Sequence, residues 1–122
     1  MFRSTMQAGA VLVFVAHLLG GCRNESSQNA ERSPAPPPRQ QLSRGEELFK
    51  QYCAACHPDG GNVSDPERTL RGSDLRSHHI AKPEDIMRIM RTPISRMISF
   101  DATTLSDKDA RAIADYVLYT FR

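Results

Sequence analysis

Cys53-Ala54-Ala55-Cys56-His57 is a run whose residue types and spacing dictate a chemistry. Two thiols three residues apart can each add to one of the two vinyl groups of a haem, and the adjacent imidazole is then placed so that a ring nitrogen reaches the iron. Two thioether bonds keep such a cofactor attached even when the fold opens. Two other chemistries use the same residue types. A dithiol redox pair needs only Cys53 and Cys56, leaves His57 without a task, and belongs with a βαβ pattern that this chain lacks. A structural zinc site needs four ligands, and no second Cys or His pair stands at a suitable spacing. The run therefore points to a single covalent haem c, bound through Cys53 and Cys56, with His57 as one axial ligand of the iron. Haem of this type is attached on the far side of the cytoplasmic membrane, so the motif also predicts an exported protein.

The third cysteine, Cys22, fits export. Arg3 supplies a short positive region, and Ala8 to Leu19 forms an apolar run interrupted only by His17. That run is well short of the ~20 residues that span a bilayer. Its end, Leu19-Gly20-Gly21-Cys22, resembles the lipobox of bacterial lipoproteins, in which the cysteine is acylated and becomes the first residue of the mature chain. Residues 1–21 are thus expected to be a lipoprotein signal peptide and Cys22 the site of a membrane lipid anchor. Residues 22–41 then read as a tether, because the polar stretch after Cys22 has no apolar period and Pro34, Pro36, Pro37 and Pro38 favour extended polyproline structure. A segment of that length reaches at most roughly 60 Å. The net charge of +2 has none of the basic excess of a nucleic-acid binder.

Residues 42–122 remain for the folded domain, small for a core made of side chains alone. Three helical patterns surround the motif. Ser43 with Glu46 reads as a capping box, after which Leu48, Phe49 and Tyr52 form one apolar face leading into Cys53. Pro83 suits the first turn of a second helix with the face Ile86, Ile89 and Met90, ending near Arg91 because Thr92 precedes Pro93. Ser106 with Asp109 starts a third, lined by Ala110, Ile113 and Val117. No segment alternates like a strand. The expectation is an all-α fold with three main helices around one haem, and loops at about 57–82 and 92–105.

Across residues 43 to 122 the chain resembles the class I monohaem cytochromes c. Gly45, Leu48, Phe49 and Tyr52 stand before the motif as in that family's first helix. Gly60-Gly61-Asn62 followed by Thr69-Leu70 is similar to the loop of the small photosynthetic c-six subgroup. Leu105-Ser106-Asp107 through Ala114-Asp115-Tyr116-Val117 resembles the family's last helix. The resemblance implies a small cytochrome c fold whose first and last helices cross, bringing Gly45 and Phe49 against Tyr116.

The resemblance also bears on the second axial ligand, for which Met87, Met90, Met97, His78 and His79 are candidates. Met90 shares a helical face with Ile86 and Ile89 and reads as core packing. The two histidines read as a solvated loop pair. Met97-Ile98-Ser99-Phe100 resembles the family's Met-Pro-x-Phe ligand loop, with Ile98 in place of the proline, and lies forty residues after His57. Met97 is therefore the expected ligand, and its soft sulfur would raise the reduction potential. By the same resemblance the carbonyl of Pro66 would accept the other ring N–H of His57, and Asn62, Thr69 or Arg71 would contact a haem propionate.

Residues 68–96 carry seven basic side chains (Arg68, Arg71, Arg76, Lys82, Arg88, Arg91, Arg96) against Asp74, Glu84 and Asp85, and residues 101–115 lean acidic. A basic collar near Met97 would steer a redox-partner protein with an acidic docking surface. No acid–base pair or activated nucleophile stands out, so an enzyme is not expected. The chain reads as a one-electron carrier cycling a c-type haem between ferric and ferrous iron, lipid-anchored and extracytoplasmic, facing the periplasm in a Gram-negative cell. Two rivals share the motif: a haem-based sensor or ligand-binding domain, and a dedicated electron-transfer subunit of a membrane-associated oxidoreductase complex.

Overall fold

Pro38 decides where the first helix begins. The computed structural model describes residues 35–122, so the segment read as a signal peptide, Cys22 and the tether up to residue 34 lie outside the described residues. Pro38 is extended, and its carbonyl accepts the N–H groups of Gln41 and Leu42 at 2.9 and 3.1 Å. Its fixed φ holds the chain at the entry to α1 (Arg39–Tyr52). The expected start at a Ser43–Glu46 capping box is therefore corrected: both residues lie inside the helix. Residues 39–41, read as tether, are its first turn, and Gln41 reaches across to the carboxylate of Asp115.

After the motif come a 3₁₀ turn (Pro58–Gly60), α2 (Gly72–Ser77), α3 (Pro83–Arg91) and α4 (Asp107–Thr120). The last two match the sequence patterns. Asp85 of α3 accepts the N–H groups of Ala81 and Lys82 at 3.2 and 3.1 Å, and those two bonds lower its pKa below the usual carboxylate value. Thr92 leaves the helical region at φ −137°, as a residue before proline must. Ser106 accepts the N–H of Asp109 at 3.2 Å and caps α4. The turn and α2 are additions to the region read as loop. With six residues and only Gly72 and Leu75 buried, α2 is too short to show a period. Among the described residues there is no strand, and the architecture is all-α as expected.

The core lies where α1 and α3 meet α4. Leu48 and Phe49 of α1, Ile86 and Met90 of α3, and Ala110, Ile113, Ala114 and Val117 of α4 are buried in one cluster. Gly45 sets the α1–α4 approach. A Cβ there would overlap the carbonyl of Ala112 and come within 2.7 Å of the Tyr116 Cβ. One turn further along each helix, the Phe49 and Tyr116 rings meet at a tilt with centroids 5.4 Å apart, in keeping with the expected crossing, and Phe121 closes on Phe49 at 5.5 Å. Gly60, at φ +76°, lies beneath that Phe121 ring, where a Cβ would meet it at 2.6 Å. Polar ties reinforce the same junction. Arg111 of α4 bonds Glu84 of α3 at 2.6 Å and the buried Asp115 at 3.3 Å, and Asp115 also holds Gln41 of α1.

Gly45→Ala forces the two backbones apart, since neither a carbonyl nor a Cβ can yield as a flexible side chain does. The expected loss is about 1–3 kcal/mol in a denaturant titration, typical of overpacking. A stability equal to that of the native chain would contradict the backbone-on-backbone crossing.

Candidate functional site

The last turn of α1 runs straight into the cysteine motif. The Cys53 N–H bonds the Phe49 carbonyl at 2.8 Å and the His57 N–H bonds the Cys53 carbonyl at 2.8 Å, so helical winding continues through the motif as turns. Cys53 is buried and Cys56 exposed, and they form no disulfide with each other. Burial pushes the Cys53 thiol up to about 11, and Cys56 adds to the same shift.

His57 is 9% exposed, and its Nδ1 lies 2.8 Å from the carbonyl oxygen of Gly61. A carbonyl only accepts, so Nδ1 carries the proton and Nε2 is left with a free lone pair. The oriented imidazole is what iron ligation requires. The accepting carbonyl corrects the expectation of Pro66: the turn Pro58–Gly60 folds Gly61 back under the ring, its own N–H bonded to the Pro58 carbonyl at 2.8 Å. Sequence reasoning missed Gly61, although the Gly60-Gly61 pair marks a tight turn directly after the motif.

Two cavities, of about 110 and about 530 Å³, share the lining residues Cys53, His57, Asn62, Ser95 and Met97. Phe49, Ile86, Met90, Ile113 and Val117 wall the first, and Tyr52, Cys56 and Phe100 the second. Apolar walls from α1, α3 and α4, two thiols, an imidazole with a free nitrogen and a thioether make a donor set that fits a covalently held iron porphyrin. The sequence-predicted site residues Cys53, Cys56, His57 and Met97 are thus brought around one space.

Met97 is half-buried, and three residues later Phe100 is buried with its N–H on the Met90 carbonyl at 2.8 Å and its ring edge-on to Tyr52 at 5.8 Å. Met90 is only 2% exposed within the apolar cluster, the packing role read for it. His78 and His79 are exposed; the Nδ1 of His78 donates to the Asp74 carbonyl at 2.9 Å while its ring borders the first cavity. Asn62, Thr69 and Arg68 border that cavity, whereas Arg71 is not among its lining residues. Asn62 shapes its own loop: it donates to the Arg68 carbonyl at 2.9 Å and accepts the N–H groups of Ser64 and Asp65 at 3.0 Å. Ile94 of the first cavity and Ile98 of the second are both more than 60% exposed, and the exposed Arg96 lines the second cavity.

The family model described as cytochrome C oxidase, cbb3-type, subunit III matches residues 40–117. Cytochrome c6 of Cyanidium caldarium is 39% identical to this chain over 77 residues, covering 63% of this chain and 69% of that protein. Among solved structures, the chain is similar to OmcF, outer membrane cytochrome F from Geobacter sulfurreducens, with TM-score 0.62 and 36% identity over 64% of this chain and 99% of that one. It is also similar to oxidized cytochrome c6A from Arabidopsis thaliana, with TM-score 0.63 and 27% identity over 67% of this chain and 91% of that one.

Beyond Phe100 the chain turns on Asp101, whose carboxylate accepts from the Thr103 N–H and hydroxyl at 3.0 and 2.7 Å and from the Thr104 N–H at 2.7 Å. The Thr103 hydroxyl and then the Thr104 N–H hold its pKa down at about 2. An unfolded aspartate titrates near ~3.9. The turn therefore contributes stability fully above about pH 4 and loses it as pH falls toward 2. Asp101→Asn, which keeps the acceptor and removes the titration, should flatten that part of the stability-versus-pH curve in thermal melts. An unchanged acid slope would remove Asp101 from the acid response.

Proposed function

The chain belongs to the cytochrome c family, and on that premise we propose that Cys53 and Cys56 hold its haem through thioethers while His57 and Met97 are the axial ligands. It is a haem-based electron carrier with one covalently bound haem c. The haem supplies the ferric–ferrous couple. The reading of the ligands is carried by the Nδ1–Gly61 bond at 2.8 Å, which commits one ring nitrogen of His57 and frees the other beside both cysteines. The protein's part is ligation, exclusion of water by the apolar walls, and presentation of a docking face; no side chain is assigned a catalytic task. A ligand-sensing role, the rival reading of the motif, is not favoured by the cytochrome c6 relatives.

The docking face is the surface at the cavities where Ile94 and Ile98 are exposed. Exposed apolar side chains next to Arg96 suit brief contact with a redox protein whose own patch is rimmed by acidic groups. Of the basic collar, Arg68 pairs with Asp65, Arg88 with Asp85 and Arg91 with Asp107, whereas the exposed Arg71, Arg76, Lys82 and Arg96 form no ion pair among the described residues and carry the charge available to a partner. For location, the reading is a signal peptide at residues 1–21, a lipid anchor at Cys22, a short tether and a haem domain held outside the cytoplasm. The Leu19–Cys22 pattern supports it, and the similar OmcF is an outer membrane cytochrome. Stable anchoring takes more than one acyl chain.

Met97→Ala should abolish the weak sulfur-to-iron band at the red end of the oxidised spectrum, lower the potential and admit carbon monoxide to the ferrous protein. Met90→Ala should keep the band and cost about 2–5 kcal/mol of stability through lost packing. Loss of the band at Met90 with retention at Met97 would move the ligand onto α3. Separately, Cys22→Ser should leave an unprocessed or released protein; unchanged size and membrane retention would sink the anchor.

A further inference from the structure

Between Thr92 and Phe100 side-chain packing, and no hydrogen bond, holds the chain among the described residues. Residues 93–99 make no hydrogen bond to any described residue, so the placement of Met97 depends on the two ends of the segment. One end is the C-terminus of α3. The other is gripped by Arg91, the last residue of that helix, whose side chain is 24% exposed. Its Nη1 donates to the carbonyls of Phe100 and Asp101 at 2.9 and 3.2 Å. Its Nη2 donates to the Leu105 carbonyl at 2.8 Å and the Asp107 carboxylate at 2.7 Å.

Three of these four acceptors are backbone carbonyls outside any helix; that of Asp101 also accepts the Leu105 N–H at 3.0 Å, while those of Phe100 and Leu105 have no other donor among the described residues. A planar guanidinium can serve all four at once, whereas an ammonium is a single point charge. Phe100 is consequently held on both sides, its N–H by Met90 and its C=O by Arg91. The clamp and the ligand-bearing residue sit on the same short span, where residues 93–99 add no hydrogen bond of their own among the described residues.

We propose that Arg91 is a positioning residue for Met97: by gripping the carbonyls of residues 100, 101 and 105 it keeps the 92–106 segment closed, and so sets how easily an added ligand displaces the methionine. The proposal rests on Met97 being the axial ligand. Opening the segment breaks the carbonyl bonds to Arg91 without unfolding α1, α3 or α4, and displacement therefore reports the clamp and not the global fold.

The test is imidazole titration of the ferric holoprotein, followed through the red sulfur-to-iron band, beside far-ultraviolet thermal melts of the same samples. Arg91→Gln should raise the apparent imidazole affinity about tenfold or more, the scale of losing hydrogen bonds from a charged donor. Arg91→Lys should fall between Gln and wild type, and it carries the test if the Gln variant does not fold. Asp107→Asn, which leaves the carbonyl contacts in place, should change affinity about twofold or less. Wild-type imidazole affinity in the Arg91 variants, whatever their melting temperature, would overturn the proposal, as would a full effect from Asp107→Asn. Met97→Ala separates the two claims. Retention of the band there defeats the ligand assignment itself, while its loss together with unaltered Arg91 variants defeats only the clamp.

Discussion

An α-carbon without a side chain at residue 45 lets α1 lie directly on the backbone of α4 at Ala112, and the rest of the site is built outward from that contact. Along α1, two turns separate Gly45 from the motif, so the closeness of the crossing sets how deeply Cys53 and His57 enter the protein. Along α4, Ile113 and Val117 follow Ala112 on the buried side and become a wall of the cavity. Phe49, Tyr116 and Phe121 fill the wedge that opens where the helices diverge. A methyl group at position 45 would therefore displace both the Cys53–His57 run and the cavity wall.

Core and cofactor site are the same object here. Phe49, Cys53, Ile86, Met90, Ile113 and Val117 belong both to the buried cluster and to the cavity lining. A domain of this size buries only a modest share of its surface by itself, and the apolar faces that line the cavity are available to pack on a flat ring held between them. The residues that tie the helices by polar contacts, Gln41, Glu84, Arg111 and Asp115, line neither cavity. Asp115 is buried yet satisfied by Gln41 and Arg111, and Arg111 reaches on to Glu84, so α1, α3 and α4 are joined by one chain of hydrogen bonds away from the haem space. The two sets of interactions divide the labour: hydrogen bonds register the helices, and apolar contact shapes the site.

Much of this was legible in the residues because it rests on local signals. Pro83, Ser106 and the Thr92-Pro93 pair mark helix ends by backbone rules that hold wherever the chain goes, and α3 and α4 follow them. The cysteine motif carries its own geometry. What escaped was set by tertiary contact or by short range turns. Ser43 and Glu46 form a valid capping box in isolation, yet the helix extends upstream because Gln41 finds Asp115 seventy-four residues away. The acceptor for His57 is Gly61 and not Pro66, since a 3₁₀ turn of three residues reverses the chain sooner than the loop's length suggests. Arg91 could be read as a favourable cation at a helix end; nothing in its neighbours along the chain announces the carbonyls it meets nine to fourteen residues later.

That last contact has a consequence for how such a chain can change over evolutionary time. Because Arg91 recognises mostly peptide carbonyls, it is indifferent to which side chains the gripped residues bear. Exposed positions such as Ser99, Thr103 and Thr104 are thus released from the task of holding the segment shut, though Thr103 also serves the Asp101 turn. Mutations there, and at Ile94 and Ile98, can drift toward new partners while the iron's surroundings stay constant. A backbone-directed clamp thereby uncouples the inheritance of redox chemistry from the inheritance of recognition.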